Sequence, residues 1–513
     1  MFLERARREA TVFGVSAKVD RRHPPGRWGR RGRRLTPGLA FGLACGLGVG
    51  AVTAADWPTY GGDDARSGVS PGTIAPPLSQ AWQWRSPHRP RPAWGGEAKA
   101  DLYNKVYDMP HRQDFDYAFH VVAAEGAVLF GSSADDKVYC LDAATGEERW
   151  SFFTEGPVRL APTLKGGRAY VGSDDGYVYC LRLADGGLVW KHRPGPRETR
   201  IPGNGRVISP WPVRTGVIVR DGLAYCGAGM FPSEGVYLCA LDAWTGAERW
   251  KVVNNDLPAQ GYLLASDTRL YVPSGRNNPV VYDRADGSRI RVVEGAGGTY
   301  ALLTGGELVF GPGKAGQLGV VPDGESDQLA TFAGNHMIVT PARSFLHADN
   351  ELSALDRARY LELARERKTV LARRDALRKQ LQQVERAGDA AARTRLRGEL
   401  TEVGGAIDRL SREMEGCVLW RQPCRHPLSL ILAGDVLYAG GVKSVAAHGT
   451  DTGEKVWEAP VDAEALGLAA AGGRLFVSTD SGVIHCFAPP ATASVGRPAA
   501  DSAAGFLLTT TSR

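Results

Sequence analysis

A nine-residue pattern, Asp-x-x-Thr-Gly-x-x-x-Trp, recurs along this chain and limits what the chain can become. It runs from Asp142 through Thr145 and Gly146 to Trp150, and again from Asp242 through Thr245 and Gly246 to Trp250. Weaker copies end at Trp190 and Trp457. Before each turn, large and small residues alternate as a pleated strand requires, Tyr139 and Leu141 being the example. The Asp carboxylate is placed to accept hydrogen bonds from the amides two and three residues on, which closes a turn. The Gly adopts the left-handed conformation that other residues resist. The Trp ends the second strand with a large flat surface to pack. Strand, tight turn, strand at a steady period specifies stacked copies of one supersecondary unit.

Eight strand pairs fit this period: Val121 to Gly131, Pro162 to Gly172, Pro212 to Gly227, Leu263 to Pro273, Ala301 to Gly311, Met337 to His347, Leu430 to Gly440 and Leu468 to Ser478. A third strand follows each, and in most a fourth that ends in Trp. After Phe487 the fourth is missing, while Gln80 to Trp84 is a fourth strand with no blade before it. The expected fold is therefore all-β, an eight-bladed β-propeller over 79–488 with four antiparallel strands per blade. The N-terminal strand closes the ring and removes its open edges.

One blade is interrupted. Glu351 to Asp356 reads as its third strand and Val418 to Trp420 as its fourth. Between them Leu363, Val370, Leu377 and Val384 step by seven, joined by Leu381; Leu396, Leu400, Val403, Ile407, Leu410 and Met414 keep 4-3 spacing. Gly388 and Asp389 separate the two runs. This predicts an inserted antiparallel helical hairpin, a coiled coil over 353–416.

The net charge of +6 belongs to the leader. Residues 1–55 carry eleven Lys or Arg against three acidic residues, which leaves −2 for the rest and gives no case for a nucleic-acid surface. Arg30, Arg31, Arg33 and Arg34 precede an apolar run from Leu35 to Ala55 that ends in small-residue cleavage sites. Residues 1–55 read as a signal peptide or an N-terminal membrane anchor, and either reading exports the remainder to the periplasm or cell envelope. Residues 56–78 read as a linker and 489–513 as a disordered tail. Cys140, Cys180 and Cys486 share one repeat position and read as small core residues. Cys417 and Cys424 flank Trp420 and are open to pairing in an oxidising compartment. No Cys-x-x-Cys-His for covalent haem and no adjacent cysteines occur.

The extended signature, Ala240-Leu241-Asp242 through Trp250, resembles the pyrroloquinoline quinone (PQQ) repeat, as does the opening Asp56-Trp57-Pro58. The resemblance covers 56 to about 488 apart from the helical insert. It implies an eight-bladed propeller with each Trp docked between blades. The repeat serves both periplasmic quinoprotein dehydrogenases and a non-catalytic lipoprotein of outer-membrane assembly, so it does not choose an activity. This chain departs from the pattern at Arg182, which replaces the Asp, and after Asp286-Gly287 and Asp323-Gly324, where no Trp follows.

Candidate site residues come from one alignment. Counting back from the end of each second strand places His120, Trp211, Tyr262, Tyr300 and His336 at the start of five inner strands. In a propeller these starts rim the central channel. The aromatic rim reads either as a cradle for a small planar ligand or as plugs for a wide channel. The acidic turn residues Asp135, Asp136, Asp174, Asp175, Asp349 and Asp480 read as turn caps ahead of calcium ligands. The Arg-rich stretch from Arg193 to Arg206 reads as a solvated loop ahead of an anion grip. No Ser-His-Asp or metal-ligand spacing occurs.

Two functions follow. The first is a non-enzymatic binding or protein-interaction scaffold of the envelope, with a protein partner on the helical hairpin and membrane contact only through an uncleaved N-terminus. The alternative is a PQQ-dependent alcohol or sugar dehydrogenase, with the quinone and calcium at the axis and an Asp as base. No residue of this sequence is assigned to that base or to the calcium.

Overall fold

The computed structural model describes residues 55–93 and 115–490, apart from 204, 276, 295–299, 312–316 and 326–327. The expected leader and tail lie outside the described residues except for Ala55, Pro489 and Pro490.

Four-stranded antiparallel sheets follow one another along the chain. Blade 1 runs Val122–Ala124, Ala127–Ser132, Lys137–Asp142, Glu148–Phe153 in spatial order. Blades 2 to 6 occupy 163–192, 218–254, 264–292, 300–333 and 336–423. Blades 7 and 8 share the 17-residue strand Lys455–Ala471, which is outer strand to the first and inner strand to the second. Blade 8 takes its fourth strand from the N-terminus, Ser79–Arg85, antiparallel to Val483–Ala488. The chain is an eight-bladed propeller, as its repeats require.

The recurring Trp and Gly lock adjacent blades together. Each indole N–H donates to a backbone carbonyl at the next blade: Trp82 to Ala143 (3.1 Å), Trp150 to Leu183 (2.9 Å), Trp190 to Ala243 (3.1 Å), Trp250 to Arg284 (3.1 Å), Trp420 to Thr450 (3.0 Å) and Trp457 to Leu78 (3.0 Å). In all but the last, the receiving turn carries a Gly in the left-handed region, and the indole lies where a side chain would be. A Cβ on Gly146 (φ +75°) would come within 2.6 Å of Trp82. The Gly and Trp of one motif copy thus serve different interfaces. Each Gly seats the Trp of the preceding blade.

Two interfaces lack the Trp, and ionic contacts stand there instead. Arg269, Tyr271 and Arg291 of blade 4 converge on Asp323 at the turn of blade 5, with Tyr271 Oη 3.4 Å away. Between blades 5 and 6 the helical hairpin takes over. Helix α1 spans Arg357–Ala387 and α2 Ala390–Glu415. Asp356 and Asp389 cap their N-termini by accepting from the amides of Arg359 (3.1 Å) and Ala392 (2.9 Å). The heptad residues of both arms close on each other in two apolar clusters. At the base, Arg357 and Arg365 pair with Glu307, and Lys368 Nζ lies 2.7 Å from Glu325. Tyr360 packs on Phe332 with ring centroids 5.1 Å apart. The hairpin grows from blade 6 and clasps blade 5.

Residues 56–70, expected to link, instead run along the ends of the inner strands. Trp57 bridges Ala123 of blade 1. Pro58 O accepts from Leu164 of blade 2 (2.7 Å), Asp64 O from Ala265 of blade 4 (3.0 Å), Ala65 O from Leu303 of blade 5 (2.8 Å) and Gly68 O from Leu432 of blade 7 (2.8 Å). The Asp64 carboxylate pairs with Arg220 of blade 3 (3.4 Å). Val69–Ser70 adds a short parallel strand to blade 7, and Ala55 O accepts from Gly472 of blade 8 (2.9 Å). The segment thus touches blades 1 to 5, 7 and 8 in turn.

All seven described cysteines are reduced and buried. Cys140, Cys180 and Cys486 are core residues at 0% exposure. Cys417 lies in the hairpin base and Cys424 in the core between blades 6 and 7, so the two do not pair.

Candidate functional site

Channel filling decides what the axis can hold. Tyr60, carried in by the N-terminal segment, stacks on Tyr262 with ring centroids 3.6 Å apart and planes 1° from parallel. It meets His120 edge-on at 5.2 Å. The Arg66 guanidinium lies 5.7 Å from the Tyr262 ring, fully enclosed, and donates to Leu263 O (2.9 Å), Thr59 Oγ1 (2.6 Å) and Tyr60 O (2.7 Å). Glycines make room for these rings. Gly216 backs Tyr262, and Gly467 leaves space for His120.

Four of the five residues expected at the rim fall into two groups. His120 and Tyr262 surround Tyr60. Tyr300 and His336 meet edge-on at 5.2 Å, with Tyr300 Oη donating to Met337 O (2.5 Å). Trp211 instead packs into the body of blades 2 and 3. Its indole N–H donates to Glu234 O (2.8 Å), and its ring is covered by Arg197 at 5.6 Å and Tyr237 at 6.3 Å. Inner-strand pairing in blade 3 begins only at Ile218, which leaves Trp211 in the approach to the strand.

The chemistry of these groups is that of a packed interior. Burial pushes the His120 imidazole down to about 4, so it is neutral at neutral pH. Burial also raises the Tyr262 and Tyr300 phenols. Tyr262 Oη accepts from the Ala161 amide (2.9 Å). At three of the five expected positions this arrangement does not fit a planar quinone. The Tyr262 face that would stack it is taken by Tyr60, the Trp211 ring is enclosed, and His120 carries no charge for a carboxylate. Among the described residues, two groups of three metal-ligating side chains gather, Cys424–His426–His448 and His192–Cys239–Glu248. Neither contains a rim residue.

Beside the rim lies a buried ion network. Asp174 accepts from Arg159 Nε (2.6 Å) and from Arg214 Nε (3.0 Å) and Nη2 (2.9 Å). Arg159 also reaches Asp116 (3.1 Å), and none of the four side chains is more than 3% exposed. Burial would raise the Asp174 carboxyl, but Arg214 and Arg159 outweigh it and hold it below its usual value. Asp174 is therefore an ion-pair centre and not a simple turn cap. Asp175 keeps the expected turn-capping role through the Tyr177 amide (2.9 Å) and also accepts from the distant Glu155 amide (2.9 Å), whereas Asp480 accepts from the amide of Glu464 (2.9 Å), 16 residues away. Three of the four arginines in the Arg-rich loop are paired, Arg193 within the loop by Glu198 (3.4 Å), Arg200 by Glu155 (2.6 Å) and Arg206 by Asp136 (3.1 Å) from outside it.

The other candidate surface is the hairpin beyond its base. At 1.5 Å per residue α1 reaches about 46 Å. Its apolar seam is used internally, so its outward faces are polar. Residues 357–415 carry fifteen Lys or Arg against ten Asp or Glu.

Known proteins share parts of this chain. A family profile described as outer membrane protein assembly factor BamB matches residues 81–221, 174–332 and 402–491. A polyvinylalcohol dehydrogenase of Sphingopyxis sp. is 29% identical over 128 residues, 24% of this chain and 18% of that protein. The outer membrane protein assembly factor BamB of Alkalilimnicola ehrlichii is 27% identical over 167 residues, 32% of this chain and 40% of that protein. The matched stretches thus span less than half the length of either relative. The crystal structure of a quinohemoprotein alcohol dehydrogenase from Comamonas testosteroni superposes with a TM-score of 0.54 at 14% identity, covering 84% of this chain and 80% of that one. At that identity the likeness is one of fold.

Proposed function

The chain belongs to the PQQ-repeat family whose profile bears the description outer membrane protein assembly factor BamB, and from that premise we propose a non-enzymatic protein-interaction scaffold of the cell envelope that meets its partner through the helical hairpin. The observation that carries this reading is the hairpin itself. A short blade turn is replaced by two capped helices that hold their own apolar seam, clasp blade 5 only at the base and leave a basic surface outside. A basic arm whose apolar residues are already used selects an acidic protein surface through charge complementarity, with binding that weakens as salt rises. The filled axis supports the same reading, because a propeller whose channel holds Tyr60 and Arg66 uses its centre for packing.

The test is affinity capture from envelope extracts with the whole exported chain and with a variant in which 357–415 is replaced by a four-residue turn. One acidic partner should bind the first and not the second. The same partner on both would overturn the arm as the contact. Titration of the whole chain with PQQ and calcium, followed by dye-linked alcohol oxidation, tests the dehydrogenase alternative. Saturable micromolar binding would replace the scaffold reading.

A further inference from the structure

A cluster in the core between blades 6 and 7 has no role in the function proposed above. Cys424 follows the outer strand of blade 6, His426 lies in the connection to blade 7, and His448 comes from the third strand of blade 7. One potential ligand atom from each lies within 4.8 Å of the others. His347, at the end of a blade 6 strand, brings its Nε2 to 3.8 Å from the Cys424 sulfur. All four are buried, from 0% exposed for His347 to 5% for His426.

Hydrogen bonds fix which ring nitrogens are bare. His448 Nδ1 lies 2.9 Å from Gly453 O. A carbonyl only accepts, so Nδ1 carries the proton and the Nε2 lone pair faces Cys424 Sγ at 3.9 Å. His426 Nε2 lies 3.3 Å from a Glu458 carboxylate oxygen and 2.9 Å from Ser444 Oγ. The carboxylate places the proton on Nε2 and leaves Nδ1 a lone pair, and that buried Nδ1 has no hydrogen-bond partner. A ligating His usually donates its second nitrogen to a carbonyl or carboxylate, and both forms occur here. Buried imidazole nitrogens left without partners are costly. The backbone also makes room for the group: a Cβ on Gly441 would come within 2.7 Å of the His426 ring.

We propose that Cys424, His426 and His448 bind a zinc-class transition-metal ion, with His347, beside the sulfur but outside that three-residue group, moving in as the fourth ligand. One thiolate and three imidazoles suit such an ion, and a zinc site with 2.3 Å to sulfur and 2.0–2.1 Å to nitrogen has sulfur–nitrogen edges of about 3.6 Å. The distances of 3.8 and 3.9 Å are within a few tenths of that edge. Binding releases the thiol proton to solvent and leaves the imidazoles neutral. Because the ligands come from both blades, the ion ties blade 6 to blade 7.

The test uses the whole exported chain, refolded in the presence of zinc or cobalt and freed of excess ion. Elemental analysis should give one zinc per chain, and the cobalt form should show a thiolate charge-transfer band in the near ultraviolet. Cys424→Ser and His448→Gln should lose the ion and the band, whereas Cys417→Ser, at another buried thiol, should keep both. Glu458→Ala, at a partly exposed residue that is not a ligand but pairs with His426 and Lys455, should weaken affinity about tenfold or more. Absence of stoichiometric metal in the refolded wild type would overturn the site, as would full occupancy in Cys424→Ser. If Cys424→Ser does not fold, affinity unchanged by Glu458→Ala overturns it instead.

Discussion

Gly222 and Gly246 both stand in blade 3 in the left-handed region, at φ +76° and +74°, yet only one of them seats an indole. A Cβ on Gly222 meets nothing within 4 Å, whereas one on Gly246 would come within 2.7 Å of Trp190 Cδ2. Alanine at Gly222 therefore costs only the backbone term, roughly 1–2 kcal/mol. Alanine at Gly246 costs that plus displacement of an indole that is 9% exposed and bonded to Ala243 O. Overpacking of this kind adds about 1–3 kcal/mol. The two variants should thus differ by about 1–3 kcal/mol, read from urea midpoints by far-UV circular dichroism at a common slope. In a Trp190→Ala background the seat is empty, and Gly246→Ala should cost no more than Gly222→Ala. Equal costs in the wild-type background would refute the Gly–Trp lock. So would a penalty at Gly246 that persists without Trp190.

Three further outcomes follow from the axis and the ring. Tyr60→Ala should lower stability by about 1–3 kcal/mol, as for a partly buried aromatic, and a thermal melt unchanged from wild type would show that Tyr60 does not fill the channel. His120 has its folded value near 4 against an ordinary 6.5, so the unfolded chain binds the proton first. Its contribution is present above 6.5 and is lost as pH falls toward 4, by up to about 3 kcal/mol. Urea midpoints at pH 7 and pH 4.5 should fall less in His120→Gln than in wild type, and equal falls would count against His120 as the source. Deletion of 79–85 should expose the amides of Val483–Ala488 to hydrogen exchange, and continued protection there would mean another segment completes blade 8.

The repeats, the closing strand and the helical arm were legible because each is a local pattern. Period, turn chemistry and heptad spacing are set by residues close in sequence. The expected rim was half legible. Counting along strands put His120, Tyr262, Tyr300 and His336 at inner-strand starts, but the longer approach to blade 3 carries Trp211 into the blade body. Tyr60 and Arg66 were missed because a short segment without periodicity reads as a linker. Its density of Gly, Trp and Tyr was the available signal. Asp174 looked like its turn-capping neighbours until Arg159 and Arg214 came to it from other strands. The Cys424 cluster was hidden for the same reason, since His347 and His448 lie 77 and 24 residues from the cysteine.

Ser79–Arg85 belongs to two blades at once. Its backbone completes blade 8, while Trp82 is seated on the Gly146 turn of blade 1. A chain made from its N-terminus can dock Trp82 as soon as blade 1 exists. The backbone partner, Val483–Ala488, arrives some 400 residues later, which makes ring closure the slow, long-range event of folding. Until then the strand waits with an unpaired edge, and an unpaired edge accepts any matching strand. The matching strand nearest to hand at high chain density is the Val483–Ala488 of another copy. The riveted ring therefore carries a built-in route to exchanged dimers, and its yield as monomer should depend on how dilute the chain is while it folds.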